Sequence, residues 1–221
     1  MKAQILLVSG ILAMGTFMAC SGPKGDKAQV TEADTIIANT EGADKYEIDP
    51  SSSVVEWIGY KPTGEHNGTL NVKSGALFLK EGIPVSGEFL IDMQSIKVLD
   101  LEDPEWNGKL TGHLKSPDFF DIENHAESKF VITQIVKNTA SSPAFLLTGN
   151  LTIKNITKSV TFGVDIKPEG DNVAGNAPKF TIDRTDFDIQ YKSKKFFEDL
   201  KDDFINDEFT LAITLNGKKA I

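Results

Sequence analysis

From about Lys45 onward, apolar residues recur at every second position along much of the chain. Val85, Gly87, Phe89, Ile91 and Met93 alternate with Ser86, Glu88, Leu90 and Asp92. Phe145, Leu147, Gly149, Leu151 and Ile153 do so with Leu146, Thr148, Asn150, Thr152 and Lys154. The same rhythm runs through Val160, Phe162, Val164 and Ile166, and again through Phe209, Leu211, Ile213 and Leu215. A period of two gives a strand one apolar and one wetted face. Further strands are predicted at 53–61, 67–73, 75–81, 127–137 and 179–190. No long helical crossover separates most of these stretches, so the pairing is antiparallel. Several run longer than a typical strand. Long one-sided strands must turn their apolar faces toward one another, and closure into a barrel also removes the exposed edges. A sandwich is the competing solution, favoured by short and evenly spaced strands, which these are not. The expected fold is all-β: a single antiparallel barrel of about eight strands.

One helical insertion interrupts the pattern. Asp103 is placed to cap it, with Pro104 in the first turn and Trp106, Leu110, His113 and Leu114 at helical spacing. Gly108 and Gly112 weaken the helix, so it must depend on packing. Ser116-Pro117 ends it and leads into Phe119-Phe120. Trp106, Leu114, Phe119 and Phe120 are therefore candidates to cover one opening of the barrel. The same-parity residues Phe89, Ile91, Leu147, Leu151, Phe162, Val164, Phe180, Ile182, Leu211 and Ile213 are the candidate interior lining. A packed core and an empty lumen read alike at this level, because both appear as alternating apolar residues.

The N-terminal portion has a different composition. Lys2 precedes an apolar run from Ile5 to Met18, too short to span a bilayer as a helix but suited to the core of a signal peptide. Residues 1–19 are read as that leader. It ends in Ala19-Cys20, which resembles a lipobox despite Phe17 where Leu or Val is more usual. Cys20 is the only cysteine of the 221 residues, so no intramolecular disulfide is possible and the residue sits where lipid modification requires one. The alternative is a stray cysteine in a plain secretory signal. Residues 20–44 are rich in Gly, Pro, Lys, Asp and Thr and read as a flexible tether, leaving 45–221 for the barrel. Within the tether, Asp34-Thr35-Ile36 resembles the acceptor tripeptide of some bacterial O-glycosylation systems and equally reads as a chance tripeptide. Cys20-Ser21 without an acidic run points to the periplasmic face of the outer membrane.

The net charge of −9 lacks the basic footprint that phosphate backbones need, which argues against nucleic acid. His66, His113 and His125 are scattered, with no i, i+4 pair of the kind a helical zinc motif uses, so no metal site is expected. There is no G-x-S-x-G turn, P-loop or dinucleotide fingerprint, and no nucleophile–base pair stands out. No catalytic residue is assigned. Arg184 is the one conspicuous charge, because counting from Phe180 and Ile182 places it on the apolar face. It either meets a ligand head group inside the barrel or pairs with Asp183, Asp186 or Asp188 at a bulge.

A series of short motifs in fixed order resembles the YceI-like family over residues 46 to about 216. It opens with Tyr46-Glu47-Ile48-Asp49, Ser53-Val54-Val55-Glu56-Trp57 and His66-Asn67-Gly68-Thr69. Ser86-Gly87-Glu88-Phe89 and Asp92-Met93-Gln94-Ser95-Ile96 follow. The most specific stretch is Leu110-Thr111-Gly112-His113-Leu114-Lys115-Ser116-Pro117-Asp118-Phe119-Phe120-Asp121. Ser128-Lys129-Phe130, Gly149-Asn150-Leu151-Thr152-Ile153-Lys154-Asn155-Ile156-Thr157-Lys158 and Asp183-Arg184-Thr185-Asp186-Phe187 complete the order. Ala126 and Asp188 depart from the proline and glycine common there, and residues 192–205 form a longer polar loop than the shortest members have. The resemblance implies an exported, non-catalytic, lipocalin-like barrel that binds a polyisoprenoid chain such as a prenyl quinone or prenyl phosphate. It implies no other cofactor. A lipid carrier or reservoir, a filled scaffold that binds a protein partner, and a lipid-acting enzyme are the three functional classes in play. The missing nucleophile–base pair counts against the last.

Overall fold

The computed structural model describes residues 22–37, 40–139 and 142–220. The leader and Cys20 lie outside the described residues. Two short strands come first, β1 (Asp26–Lys27) and β2 (Gln29–Glu32). They are followed by β3 (Asp44–Ile48), β4 (Val54–Lys61), β5 (Gly64–Lys80) and β6 (Ile83–Val98). Helix α1 (Pro104–Lys115) separates these from β7 (Glu127–Lys137), β8 (Phe145–Ile153), β9 (Ile156–Glu169), β10 (Asn172–Asp183) and β11 (Glu208–Lys219). Each strand from β5 to β11 pairs antiparallel with the next, and β11 closes the ring. It pairs with β3 and β4, which also pair with β5 and together make one broken strand. The result is a closed eight-stranded antiparallel barrel, as the alternation predicts, with one short α-helix among the described residues.

Local chemistry explains the joints. The break between β3 and β4 is a turn in which Asp49 Oδ1 accepts from the Ser51 backbone N–H and hydroxyl. The β8–β9 turn is Lys154-Asn155, both with positive φ, as a tight two-residue hairpin requires. The stretches expected at 67–73 and 75–81 are one continuous strand, β5, which slips register against β6 near Val72/Ser74. That bulge adds a residue without ending the ladder, so alternation alone reads it as a strand boundary. A further shift at Phe78/Leu79 places Pro84 opposite the buried Leu79 in place of Val85, while Ser86 stays opposite Phe78 on the outer face. The strand expected at 179–190 ends at Asp183, where Arg184–Phe187 form a 3₁₀ turn.

The structure differs most in the stretch expected as a flexible tether. β9 and β10 pair only between Asp165–Glu169 and Asn172–Asn176. Beyond that point the two strands part, and the N-terminal segment fills the gap. β1 runs parallel to β10, with Asp26 opposite Phe180, while β2 runs antiparallel to β9, with Val30 opposite Val160. Lys24 is held by the Thr210 hydroxyl, which donates to its carbonyl at 2.8 Å. At the other end, Asn150 and Asp34 exchange two hydrogen bonds of 2.7 and 2.8 Å.

Candidate functional site

The inward faces of the strands enclose a cavity of about 200 Å³ along the barrel axis. It runs from Ile48 and Val173 near the β9–β10 hairpin to Phe119 and Ile205 at the opposite end. The polar residues among its lining are Ser128, Arg184 and Asn206; the rest are apolar or aromatic side chains and glycines. Phe89, Ile91, Leu147, Leu151, Phe162, Val164, Phe180, Leu211 and Ile213 all reach it. Ile182 does not: it is buried in the packed core just before β10 turns into the 3₁₀ segment. Phe209, Leu211, Ile213 and Leu215 of β11 line the cavity yet stay only partly buried. In a filled core such side chains would be in full van der Waals contact on every side. Their residual exposure is to the lumen.

Glycines give the aromatic rings room at the wall. A Cβ on Gly149 would come within 2.3 Å of the Phe130 ring, and one on Gly68 within 2.6 Å of the Trp57 ring. The missing side chain lets each ring approach the wall closely. Phe162 stacks on Phe180 with centroids 4.4 Å apart and planes 1° from parallel. Gly59 also faces the cavity, and a Cβ there would meet nothing within 4 Å.

One end of the barrel is covered by the helical insertion and by the segment from Arg184 to Asp207. Asp103 caps α1 by accepting from the Glu105 and Trp106 N–H groups. Asn107 Nδ2 ties the helix to the end of β6 by donating to the Val98 and Leu101 carbonyls. That anchor turns Asn107, Leu110, Thr111 and Leu114 toward the barrel. Leu114, Phe119 and Phe120 line the cavity. Trp106, expected beside them, is 61% exposed and covered only by Lys109, whose Nζ is 4.4 Å from its ring. It lies at the margin of the inward arc and in the first turn, where the helix overhangs solvent. The second cover was not foreseen as apolar: Ile189 and Ile205, flanking the polar loop, line the cavity. Tyr191 joins the two covers through edge contact with His113 at 4.6 Å and a tilted contact with Phe119.

Arg184 also lines the cavity and is 4% exposed, but its donors are largely committed. Nη1 donates to the Ile189 carbonyl at 2.7 Å, Nε to Asn206 at 3.1 Å and Nη2 to Ile205 at 3.0 Å. Its carboxylate partner is Asp207 at 3.3 Å, and not Asp183, Asp186 or Asp188. The expected partners are local in sequence, whereas the 3₁₀ turn aims the side chain at the returning end of the loop. Burial lowers the guanidinium below its ordinary value, opposed by Asp207 and Asp183. Arg184 thus pins the loop onto the barrel mouth. The three histidines are each beside a carboxylate, His66 with Asp100, His113 with Asp118 and His125 with Asp121. Among the described residues no group of three or more potential ligands could hold a metal ion.

Two buried polar groups on residues of the wall stand out because sequence reasoning did not single them out. The Trp57 Nε1–H and the Ser128 hydroxyl are buried without a hydrogen-bond partner. Both follow from parity: Trp57 alternates with Val55 and Gly59, and Ser128 with Phe130 and Ile132. Ser128 reads as an outward residue only because it is small and polar.

An antiparallel barrel closed around an apolar lumen defines a lipocalin-like architecture. Residues 46–216 match the YceI-like domain, and the chain belongs to that family. The UPF0312 protein of Pseudomonas fluorescens (strain SBW25) is 28% identical over 189 residues, covering 81% of this chain and 85% of that protein. Among solved structures, BcnA of Burkholderia cenocepacia superposes with a TM-score of 0.58 at 20% identity, over 76% of this chain and 98% of that one. A polyisoprenoid binding domain from Saccharophagus degradans, implicated in plant cell wall breakdown, gives 0.56 at 9% identity over 79% and 98%. At these identities the structural likenesses speak for the fold.

Proposed function

We propose that this protein is a non-catalytic binding protein that holds a long polyisoprenoid-type lipid in its lumen, as a carrier or reservoir. The observation that carries this reading is the apolar cavity with partly exposed inward residues on β11. An apolar cavity of roughly 150 Å³ stays dry and accepts a benzene-sized guest. Each methylene buried in such a space contributes about 0.8 kcal/mol, offset by the ordering of a flexible chain. The polyisoprenoid-binding domain of similar fold supports the same ligand class. In this reading the chain is exported, residues 1–19 are removed, and lipid on Cys20 anchors it at the periplasmic face of the outer membrane. The barrel then loads and unloads near a bilayer.

The experiment is mass spectrometry of an organic extract from natively purified protein, paired with Val164→Phe. The expected result is a co-purifying isoprenoid lipid that is lost or shortened in the variant, with little change in thermal stability. A packed interior would instead lose about 1–3 kcal/mol on enlargement. That loss with an empty extract would favour a filled scaffold. Membrane partitioning of Cys20→Ala tests the anchor separately: the variant is expected in the soluble fraction.

A further inference from the structure

Among the described residues the exposed aromatics are Trp106, Phe196 and Phe197, and all of them lie at the covered end of the barrel. Trp106 is 61% exposed and each phenylalanine 48%, while Leu99, just past β6, is 59% exposed. A single exposed apolar side chain is ordinary, but aromatic rings gathered at one end mark a surface that something covers. Ordered structure holds them out. Asn107 fixes the first turn of α1 on β6. Ser193 is fully buried, and its carbonyl accepts from the Phe196 and Phe197 N–H groups at 3.1 and 3.0 Å.

Their placement selects a flat partner. Trp106 stands by the end of β6, whereas Phe196 and Phe197 follow Lys195, which binds Asp183 at the end of β10. β6 and β10 are half the ring apart in either direction, so the aromatics stand on opposite rims of one opening. A bound peptide would need only one rim. A bilayer surface meets both, and aromatic side chains favour the boundary between head groups and acyl chains.

The N-terminal chain arrives at the same end. The Lys24 N–H donates to the Tyr60 and Thr210 hydroxyls, and its ammonium is 3.6 Å from Glu65. Tyr60 is next to last in β4, Glu65 second in β5 and Thr210 third in β11, all at the covered end. Cys20 comes four residues before Lys24, so the chain lets a lipid on it sit at most about 14 Å away. Charge narrows the kind of bilayer. In both covers, residues 99–126 and 184–207, carboxylates outnumber cations, which repels a strongly anionic surface. The ammonium groups of phosphatidylethanolamine answer those carboxylates. We infer that the covered end of the barrel is a docking surface for a zwitterionic, ethanolamine-rich bilayer, with Leu99, Trp106, Phe196 and Phe197 seated at the head-group boundary. This rests on the Cys20 anchor proposed above and adds the orientation in which the barrel meets the membrane.

The test couples the mature chain through Cys20, its only cysteine, to maleimide-bearing lipid in vesicles of phosphatidylethanolamine and dibrominated phosphatidylcholine. Brominated acyl chains quench an indole that reaches them. Trp57 is buried, so Trp106 is the natural reporter. Its emission should be largely lost, and Trp106→Phe should leave only an unquenched Trp57 signal. Ile83→Trp, added to Trp106→Phe, moves the reporter to the β5–β6 hairpin at the opposite end, where Ile83 is 56% exposed, and should stay bright. Phe196→Ser combined with Phe197→Ser should lower the ratio of docked to free barrels about tenfold, and the quenching of Trp106 with it. Replacing part of the phosphatidylethanolamine by phosphatidylglycerol should also weaken quenching. The inference is overturned if Trp106 stays bright in the coupled protein, if Ile83→Trp is quenched as strongly, if the double variant docks equally, or if phosphatidylglycerol strengthens the contact. The intact mass of the protein from its native cells separates this from the anchor. Absence of lipid on Cys20 would remove the anchor and the docking together, whereas lipid on Cys20 with an unquenched Trp106 would remove the docking alone.

Discussion

Two seams of this barrel close in opposite ways. Between β5 and β6 the ladder runs from Gly68–Val98 to Lys80–Ile83 and is interrupted only by bulges. Between β9 and β10 the strands pair over a few residues near their hairpin and then part, and a segment from before the barrel supplies the missing strand. In the first seam the barrel satisfies its own backbone groups. In the second, backbone N–H and C=O groups that β9 and β10 leave unpaired are covered by a strap from outside the barrel's strand order. The barrel therefore has one wall built from its own consecutive strands and one completed by a segment that precedes them. If Cys20 carries a lipid, that piece begins close to the membrane surface.

Removing the strap is the strongest way to break the comparison. Deletion of residues 22–34 should destabilise the barrel by about 3 kcal/mol or more, because it strips partners from two strand edges and from Thr210, Asn150 and Ser159. It should also speed release of a fluorescent prenyl analogue. Thermal unfolding and dissociation kinetics check both. An unchanged midpoint would mean that β9 and β10 close on each other without the strap. In the intact protein, hydrogen exchange should be faster in 26–32 than in β6, as a locally opening element requires.

A single methyl group sharpens the contrast. Gly25 has φ of +122°, and a Cβ there would lie 2.3 Å from the Lys179 carbonyl oxygen. Gly82, in the β5–β6 hairpin, has φ of +78° but its nearest neighbour would be 3.7 Å away. Gly25→Ala should cost about 3 kcal/mol, since backbone must move, and Gly82→Ala about 1 kcal/mol for the left-handed conformation alone. Urea midpoints of the two variants give the comparison. A cheaper Gly25→Ala would show that the strap is not held where it lies.

The strap is also where the sequence is hardest to read. Period two identifies Thr210, Asn150 and Ser159 as outward positions, and they are outward. It says nothing about what covers an outward face, and all three are buried, at 1%, 7% and 2% exposure. Polar residues on a wetted face and polar residues that grip a crossing segment have the same pattern. The strap itself has one alternating turn's worth of apolar signal, Ala28 and Val30, too little to distinguish from a linker. The barrel, its helix cap at Asp103 and most of the lumen wall were legible because each depends on parity or local capping. Trp106 was misplaced because four residues at helical spacing do not fix which edge of the stripe faces inward. The Arg184 partners were missed because all its acceptors but the Ile189 carbonyl return from the end of a loop about twenty residues further on, a distance that alternation does not encode.

The smallest expected effect concerns the lid-side end of the split seam. Asp183 ends β10 beside the strap and receives hydrogen bonds from the Lys195 ammonium and from the Thr185 N–H and hydroxyl. Burial acts to raise its carboxyl, but these hydrogen bonds and the Lys195 charge outweigh burial and hold it below the usual carboxylate value. A carboxyl depressed by folding contributes stability that is fully present above its unfolded pKa of about 4 and is lost as pH falls through the folded value. Lys195 is 52% exposed at its side chain, so solvent screens the pair and the contribution is under about 1 kcal/mol. Lys195→Met should therefore lower the urea midpoint slightly at pH 7. The gap to the unaltered protein should narrow as pH falls below the unfolded value and through the depressed folded one. Lys73→Met, which removes the Lys73–Glu127 pair beside the continuous seam, is the control. Both partners there are more exposed, at 55% and 41%, so its effect on the midpoint should be smaller still. An equal or larger effect at Lys73 would mean that the split seam gains nothing from Asp183 and is held by the strap alone.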